Sequence, residues 1–525
     1  MTNSGVASRI ESKARFCGEF AMSSPASHGP LERLFVLLSA TILVSIGICL
    51  LFELFASEVH SIFSILSLLM FFVASAIITL LSFFRSISGQ LFAVSTNIYF
   101  LSRVPILYLF PDHLDYQGVL LSQYANFEKG GLFVVLASLF FLVGQIFPYT
   151  SQRTKKRRLA GEISQTEAVA TFRVFGLKIA LETVVKSLFP ILCILLVFQI
   201  YSIFVLNLGL TGGEYARESA AIVRVSQLLP LFLPFVVYSS LAMSTVGSET
   251  GFRIAIASII VVGASFVLLA SRASVISFLF ALYCAARFMG TRATYRQIVI
   301  GLMLLGLAVL VYPLISTSRL ILIGVSVNPF QGYEFPLDQL AAISNRVGTS
   351  FESFFLWFKL ISEETVRPDY SVFVRIAELI NSLVPGDLIE VSPYISVAKL
   401  QTMYGRFEVD FFSSAAYLEG LGGHGENPGQ LGMAYILFGM FMPGSFFVIG
   451  ALSRMIELSS FSPFWKFILI PSIIAGSDPL PSVALFTLVL LLYMSVLGLT
   501  TVRSISKLFR PIKWKGQRKF ANELL

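Results

Sequence analysis

Long apolar runs, separated by shorter polar stretches, dominate the chain. Runs of about 17–25 apolar residues are long enough to cross the ~30 Å hydrocarbon core of a bilayer as helices. They fall at 34–55, 62–84, 91–110, 131–149, 179–208 and 228–246, and again at 254–270, 274–286, 298–315, 429–451, 465–476 and 483–501. The runs at 274–286 and 465–476 are short for full spans. The pattern predicts an all-α, polytopic membrane helix bundle of about twelve transmembrane helices.

The polar stretches divide the chain. Residues 1–33 read as an N-terminal tail, 34–315 as helices one to nine, 316–427 as one large loop, 428–501 as helices ten to twelve, and 502–525 as a basic tail. So long a loop is unusual without internal structure, so it is expected to fold. Thr349-Ser-Phe-Glu352 is a capping-box pattern. After it, Phe351, Phe354, Phe355, Phe358 and Ile361 fall at helical spacing. They predict a helix that lies at the membrane interface or packs on the bundle. A second amphipathic stretch, 370–383, stops before Pro385-Gly386, and the loop ends in a glycine-rich run from Gly420 to Gly429.

Composition agrees with this division. The chain is 56% hydrophobic and 13% charged, against roughly a quarter charged in soluble domains. The net charge of +8 does not imply nucleic acid, because the basic residues cluster in three places. One cluster is Arg153, Lys155, Lys156, Arg157 and Arg158, and a second is Arg287, Arg292 and Arg296. The third is the tail with Arg503, Lys507, Arg510, Lys513, Lys515, Arg518 and Lys519. With twelve spans all three fall on one side, which the positive-inside bias makes the cytoplasm, with both termini there. Residues 1–30 carry no signal-peptide pattern, so the first span is expected to be an uncleaved anchor. Cys17, Cys49, Cys193 and Cys284 lie outside the predicted outer loops, so no disulfide is expected in the large loop. The chain has no Asn-x-Ser/Thr acceptor sequence, which suits a bacterial membrane.

Candidate chemistry lies at the outer ends of the spans. Arg217, Arg224, Arg272 and Arg319 stand there, and Arg346 precedes the aromatic helix. A charge near hydrocarbon is costly unless it is paired or serves a ligand, and guanidinium forks suit phosphate and carboxylate. Arg272, in Ser271-Arg272-Ala273-Ser274, sits between two spans joined by almost no loop. It could ligate an anion beside the N-terminus of the next helix, or snorkel to lipid headgroups. Arg217 and Arg224 are seven apart and share a face if their loop is helical. Glu214 and Glu218 could instead pair with Arg217 on a solvated surface. His424 and Glu426 are the outer-face acid/base candidates. Glu182 and Lys186, four apart, read as a structural pair, and Arg103 and Glu53 as isolated charges without a role. There is no P-loop, no His/Cys metal cluster and no Gly-x-Ser-x-Gly elbow. The first outer loop, 56–61, is too short for the acidic residues that metal-using membrane glycosyltransferases place there. Neither a metal nor a cofactor is expected.

Three local patterns, with the topology, resemble the Wzy-type polymerases of O-antigen, capsule and exopolysaccharide. Ser271-Arg272 opening a span is similar to that family's arginine at this turn. Gly213-Glu-Tyr215-Ala-Arg217 is similar to the tyrosine/arginine segment of its earlier outer loop. Gly425-Glu-Asn-Pro-Gly-Gln-Leu-Gly-Met-Ala-Tyr435-Ile-Leu-Phe-Gly439-Met-Phe-Met-Pro-Gly444 is similar to the segment after its large loop. Here Met433-Ala434 stands where an acidic residue often precedes that tyrosine.

The resemblance implies a metal-free GT-C-like fold with a large helical periplasmic loop, in the bacterial inner membrane. It implies a substrate of oligosaccharide repeat units on undecaprenyl pyrophosphate. It further implies membrane lipid, a chain-length regulator and a flippase as partners, and no nucleic acid. On that view Arg217, Arg272 and Arg319, with Arg224, Arg346 and Tyr215, would hold pyrophosphate or glycan. His424 or Glu426 would be the base, and the aromatic helix would line a groove for prenyl tail or sugar. An O-antigen ligase of the same fold is the nearest rival. A transporter or flippase is a rival of another class, and it predicts polar residues at mid-membrane depth. By sequence the spans are almost free of these.

Overall fold

A computed structural model of the protein describes residues 30–55, 63–83, 86–109, 126–151, 171–174, 177–204, 229–268, 273–289, 349–362, 429–459, 461 and 463–474. Apart from one hairpin, their regular structure is helical. The first half contains α1 (Pro30–Phe55), α2 (Ile65–Phe83), α3 (Ile87–Thr96), a π-helical turn (Asn97–Leu101), α4 (Arg103–Leu109) and α5 (Phe127–Ser151). The strands β1 (Thr171–Val174) and β2 (Leu177–Ala180) follow, paired antiparallel with Thr171 opposite Ala180. Next come α6 (Leu181–Phe204), a 3-10 turn (Leu229–Phe232), α7 (Leu233–Val246), α8 (Glu249–Leu268) and α9 (Ala273–Phe288). From the predicted large loop comes α10 (Thr349–Ser362). The chain then continues through α11 (Gly429–Phe438), a 3-10 turn (Gly439–Phe441), α12 (Met442–Leu458) and α13 (Pro463–Ile474).

Six segments among the described residues are long and apolar enough to cross a membrane: α1, α2, α3–α4, α5, α6 and α11–α12. The predicted spans at 298–315 and 483–501 lie outside the described residues, as does the amphipathic stretch 370–383.

Three predicted spans differ in detail. The third is interrupted by the π-turn, where the Ser102 N–H reaches back to the Asn97 carbonyl at 2.8 Å. The tenth is longer than expected and breaks at Gly439, whose φ of +53° favours a residue without a Cβ. The fifth begins only after β2, because the alternating Leu177-Lys-Ile-Ala180 pairs as a strand before the helical run starts.

Helix packing follows membrane rules. Lipid tails are as apolar as leucine, so helices associate through close approach of backbones rather than through water exclusion. The α5–α12 pair shows this. A Cβ on Gly144 would lie 2.3 Å from the Phe447 carbonyl oxygen, and one on Gly450 would lie 2.6 Å from that of Phe141. α2 packs on α5 and α3 on α12, with α1 against α2 and α3, while α6, α7 and α8 form a second group. α9 and α13 join the two groups. Leu51, Phe52, Phe147, Val197 and Ile260 point outward as an apolar surface suited to lipid.

Polar contacts fix the two ends of the bundle. At one end, the Tyr283 hydroxyl and Arg287 of α9 donate to Gln90 Oε1 near the start of α3, at 2.6 and 3.3 Å. Arg454 and Lys466 lie at this same end, beside Glu457; we call it the basic end. At the other end, the Tyr108 hydroxyl donates to Glu53 at 3.0 Å and Ser64 donates to Glu128 at 2.7 Å. α10 docks there, with the Ser350 hydroxyl donating to the Tyr99 carbonyl.

Candidate functional site

The helix α10 follows the candidate Arg346 in the chain and packs into the bundle. Its Phe351, Phe354, Phe355 and Phe358 are buried, not spread along an open groove. Phe351 and Phe355 stack among Phe63, Phe71, Phe100 and Phe127, and Phe354 and Phe358 meet Tyr435 of α11. Of the two expected placements, the helix packs on the bundle. The expectation that its aromatic face lines a prenyl or sugar groove is therefore corrected, because those rings form the core. Small residues let it seat closely: a Cβ on Gly130 would lie 2.3 Å from the Phe355 ring, and one on Gly429 would lie 2.4 Å from Ser350 Cβ.

Two polar contacts lock this helix. Arg103 Nε donates to Glu352 Oε1 at 2.5 Å, with only 4% and 3% of the two side chains exposed. The Tyr99 carbonyl accepts from Ser350 within the π-turn, where the helical ladder is locally reset. Arg103 is therefore not isolated, and Glu352 serves a buried ion pair beyond its expected place in a capping box. Glu53 likewise has the Tyr108 hydroxyl as its partner. The expected structural pair forms, with Lys186 Nζ 2.7 Å from Glu182.

A second polar assembly sits at the basic end. Glu457 of α12 accepts from the Ile87 and Ser88 N–H groups at the start of α3, at 3.0 and 3.3 Å, and from the Ser88 hydroxyl at 2.8 Å. Gln145 of α5 accepts from Ser86 at 2.7 Å and donates to the Gly450 carbonyl at 2.8 Å. Arg454 lies 2.9 Å from Glu457, and Lys466 donates to the Glu457 carbonyl at 2.7 Å. A helix N-terminus attracts an anion, and here the protein's own carboxylate fills that role. This assembly is a joint between α3, α5 and α12.

The sequence-predicted site residues Arg217, Arg224, Arg272, Arg319, Arg346, Tyr215, His424 and Glu426 all lie outside the described residues. Their described neighbours do have places. Thr349, three residues after Arg346, opens α10, and Gly429, three after Glu426, opens α11 against Ser350. Ala273, next to Arg272, opens α9, whose opposite end carries Tyr283 and Arg287 at the basic end. A 16-residue helix spans roughly 24 Å, so α9 begins toward the end where α10 docks.

Sequence reading missed several buried polar groups inside the spans. Gln90, Asn97, Ser75, Gln199 and Ser265 are all buried, so the spans are less apolar inside than their sequence suggested. Among the described residues, the Asn97 amide, the Ser75 hydroxyl, the Gln199 amide and the Ser265 hydroxyl have no hydrogen-bond partner. A polar letter inside a mostly apolar run does not by itself show that it faces inward. Among the described residues no group of three or more His, Cys, Asp or Glu comes together. No protein family, curated protein or solved structure matches the chain.

Proposed function

We propose that this protein is an integral membrane glycosyltransferase, metal-independent, that polymerises oligosaccharide repeat units carried on undecaprenyl pyrophosphate. On this reading it acts at the periplasmic face of a bacterial inner membrane and builds O-antigen, capsule or exopolysaccharide. The growing chain leaves its carrier and joins the acceptor hydroxyl of the next unit, so one glycosidic bond replaces the sugar–phosphate bond and undecaprenyl pyrophosphate departs. Arg217, Arg272 and Arg319 neutralise the departing pyrophosphate, with Arg224, Arg346 and Tyr215 beside it. His424 or Glu426 takes the acceptor proton.

One observation carries the reading. The loop helix α10 is built into the bundle at the end where α11 begins and toward which α9 begins. Ala273, Thr349 and Gly429, the first described residues after Arg272, Arg346 and Glu426, therefore lie toward one end of the described bundle. An anionic lipid-linked substrate needs such a rim, with cations above the hydrocarbon and a fixed loop over it.

Transport is a second reading, and it draws on the broken α3–α4 span with its buried Asn97. Discontinuous helices with polar groups at mid-depth are a transporter feature. The cellular phenotype separates the readings. On the polymerase reading, deleting the gene leaves surface glycan of single repeats. A ligase deletion leaves no attached repeats, and a flippase deletion leaves lipid-linked repeats on the cytoplasmic side. Arg272→Ala and Arg217→Ala should fail to restore long chains while the protein stays folded. Lys at either position should rescue poorly, since it lacks the bidentate fork. Full activity in both Ala variants would remove the proposed site.

A further inference from the structure

α6 and α8 pack side by side. Ser248, which directly precedes α8, lies beside the Glu182 carboxylate at the start of α6. The two helices therefore start together and run parallel. Gln199 stands seventeen residues after Glu182, and Ser265 seventeen after Ser248. At 1.5 Å per residue both lie about 26 Å along, level with each other.

Each ends an inward stripe. On α6 the buried face runs Val185, Leu188, Leu192, Leu195 and then Gln199. On α8 it runs Ala255, Ser258, Val262 and then Ser265. Ser258 satisfies its hydroxyl on the Ile254 carbonyl at 2.9 Å, the usual outlet for a helical serine. Ser265 does not take that outlet. Its hydroxyl, and both polar atoms of the Gln199 amide, are buried without a partner among the described residues. Buried polar groups are almost always paired, and in a low dielectric an unmet donor or acceptor is costly.

The chemistry of the pair selects its occupant. An amide and a hydroxyl offer donors and acceptors and no charge, so the matching group is uncharged and does both, as a hydroxyl does. The position adds to this. Gln199 lies five residues from the end of α6, and only residues 269–272 separate the end of α8 from α9. Arg272 follows Ser265 by seven residues.

We infer that Gln199 and Ser265 form a binding site for hydroxyls of the saccharide carried by the lipid-linked substrate. The inference rests on the polymerase reading, and water is the other source of the same hydroxyl chemistry.

The test uses full-length protein in lipid nanodiscs and two probes, undecaprenyl pyrophosphate and the same carrier bearing a repeat unit extracted from the host. Wild-type protein should bind the sugar-bearing probe about tenfold more tightly. Gln199→Leu and Ser265→Ala should each erase most of that difference while leaving affinity for the bare carrier unchanged. If wild type binds both probes equally, or if both variants keep the preference, the two side chains hold water and the inference is overturned while the polymerase reading stands. If wild type binds neither probe, the polymerase reading fails and the inference falls with it.

Discussion

At the residue scale the decisive contact is Arg103–Glu352. The two residues are 249 positions apart, so no local pattern could pair them. In the sequence one looks like a stray charge in a span and the other like part of a helix cap. Burying both is favourable only as a pair, and removing one partner from such a bridge costs about 3–5 kcal/mol. Glu352→Met and Arg103→Met should each lower the unfolding temperature sharply in detergent. The double variant Arg103→Met/Glu352→Met should recover much of the loss, because no charge is then left buried. Additive losses in the double variant would show that the two side chains do not act as a pair. Asn97, Gln199 and Ser265 were illegible for a related reason. An apolar run tolerates one polar letter, and only the folded helix shows that the letter faces inward.

At the scale of elements, hydrophobic runs predicted where helices form because a span must satisfy its backbone within itself. α1, α2, α5, α9 and α13 lie close to their expected ranges. The breaks at Asn97–Leu101 and Gly439–Phe441 were not legible, since apart from Asn97 both interruptions read as a continuation of the apolar run. The hairpin left a usable trace in its alternation, Thr171-Phe-Arg-Val174 and Leu177-Lys-Ile-Ala180, but it adjoins a long apolar run that masks it. The α5–α12 crossing offers a test at this scale. Gly144→Leu and Gly450→Leu place side chains into facing backbone and should abolish folded protein in membranes. Gly263, in α8, has nothing within 4 Å of a built Cβ. Gly263→Ala should therefore be neutral or stabilise by up to about 1 kcal/mol. Normal accumulation of either Leu variant would contradict the close crossing.

At the scale of the whole molecule, the account joins three facts. The chain has six described segments fit to span a membrane, a helix, α10, locked into the bundle, and the residues that follow Arg272, Arg346 and Glu426 lying toward the end where that helix docks. The described apolar helices and the aromatic helix α10 were legible because both follow from hydrophobic periodicity. The candidate arginines were singled out because cations at the predicted rims of spans need a reason, and they lie outside the described residues. The most direct test of the central claim is to give purified protein, in nanodiscs without added metal, the lipid-linked repeat unit from the host and to resolve the products by length. The account predicts a ladder of polymers with undecaprenyl pyrophosphate released at each step, and no ladder with Arg272→Ala. Repeat units recovered unchanged from folded wild-type protein would contradict it.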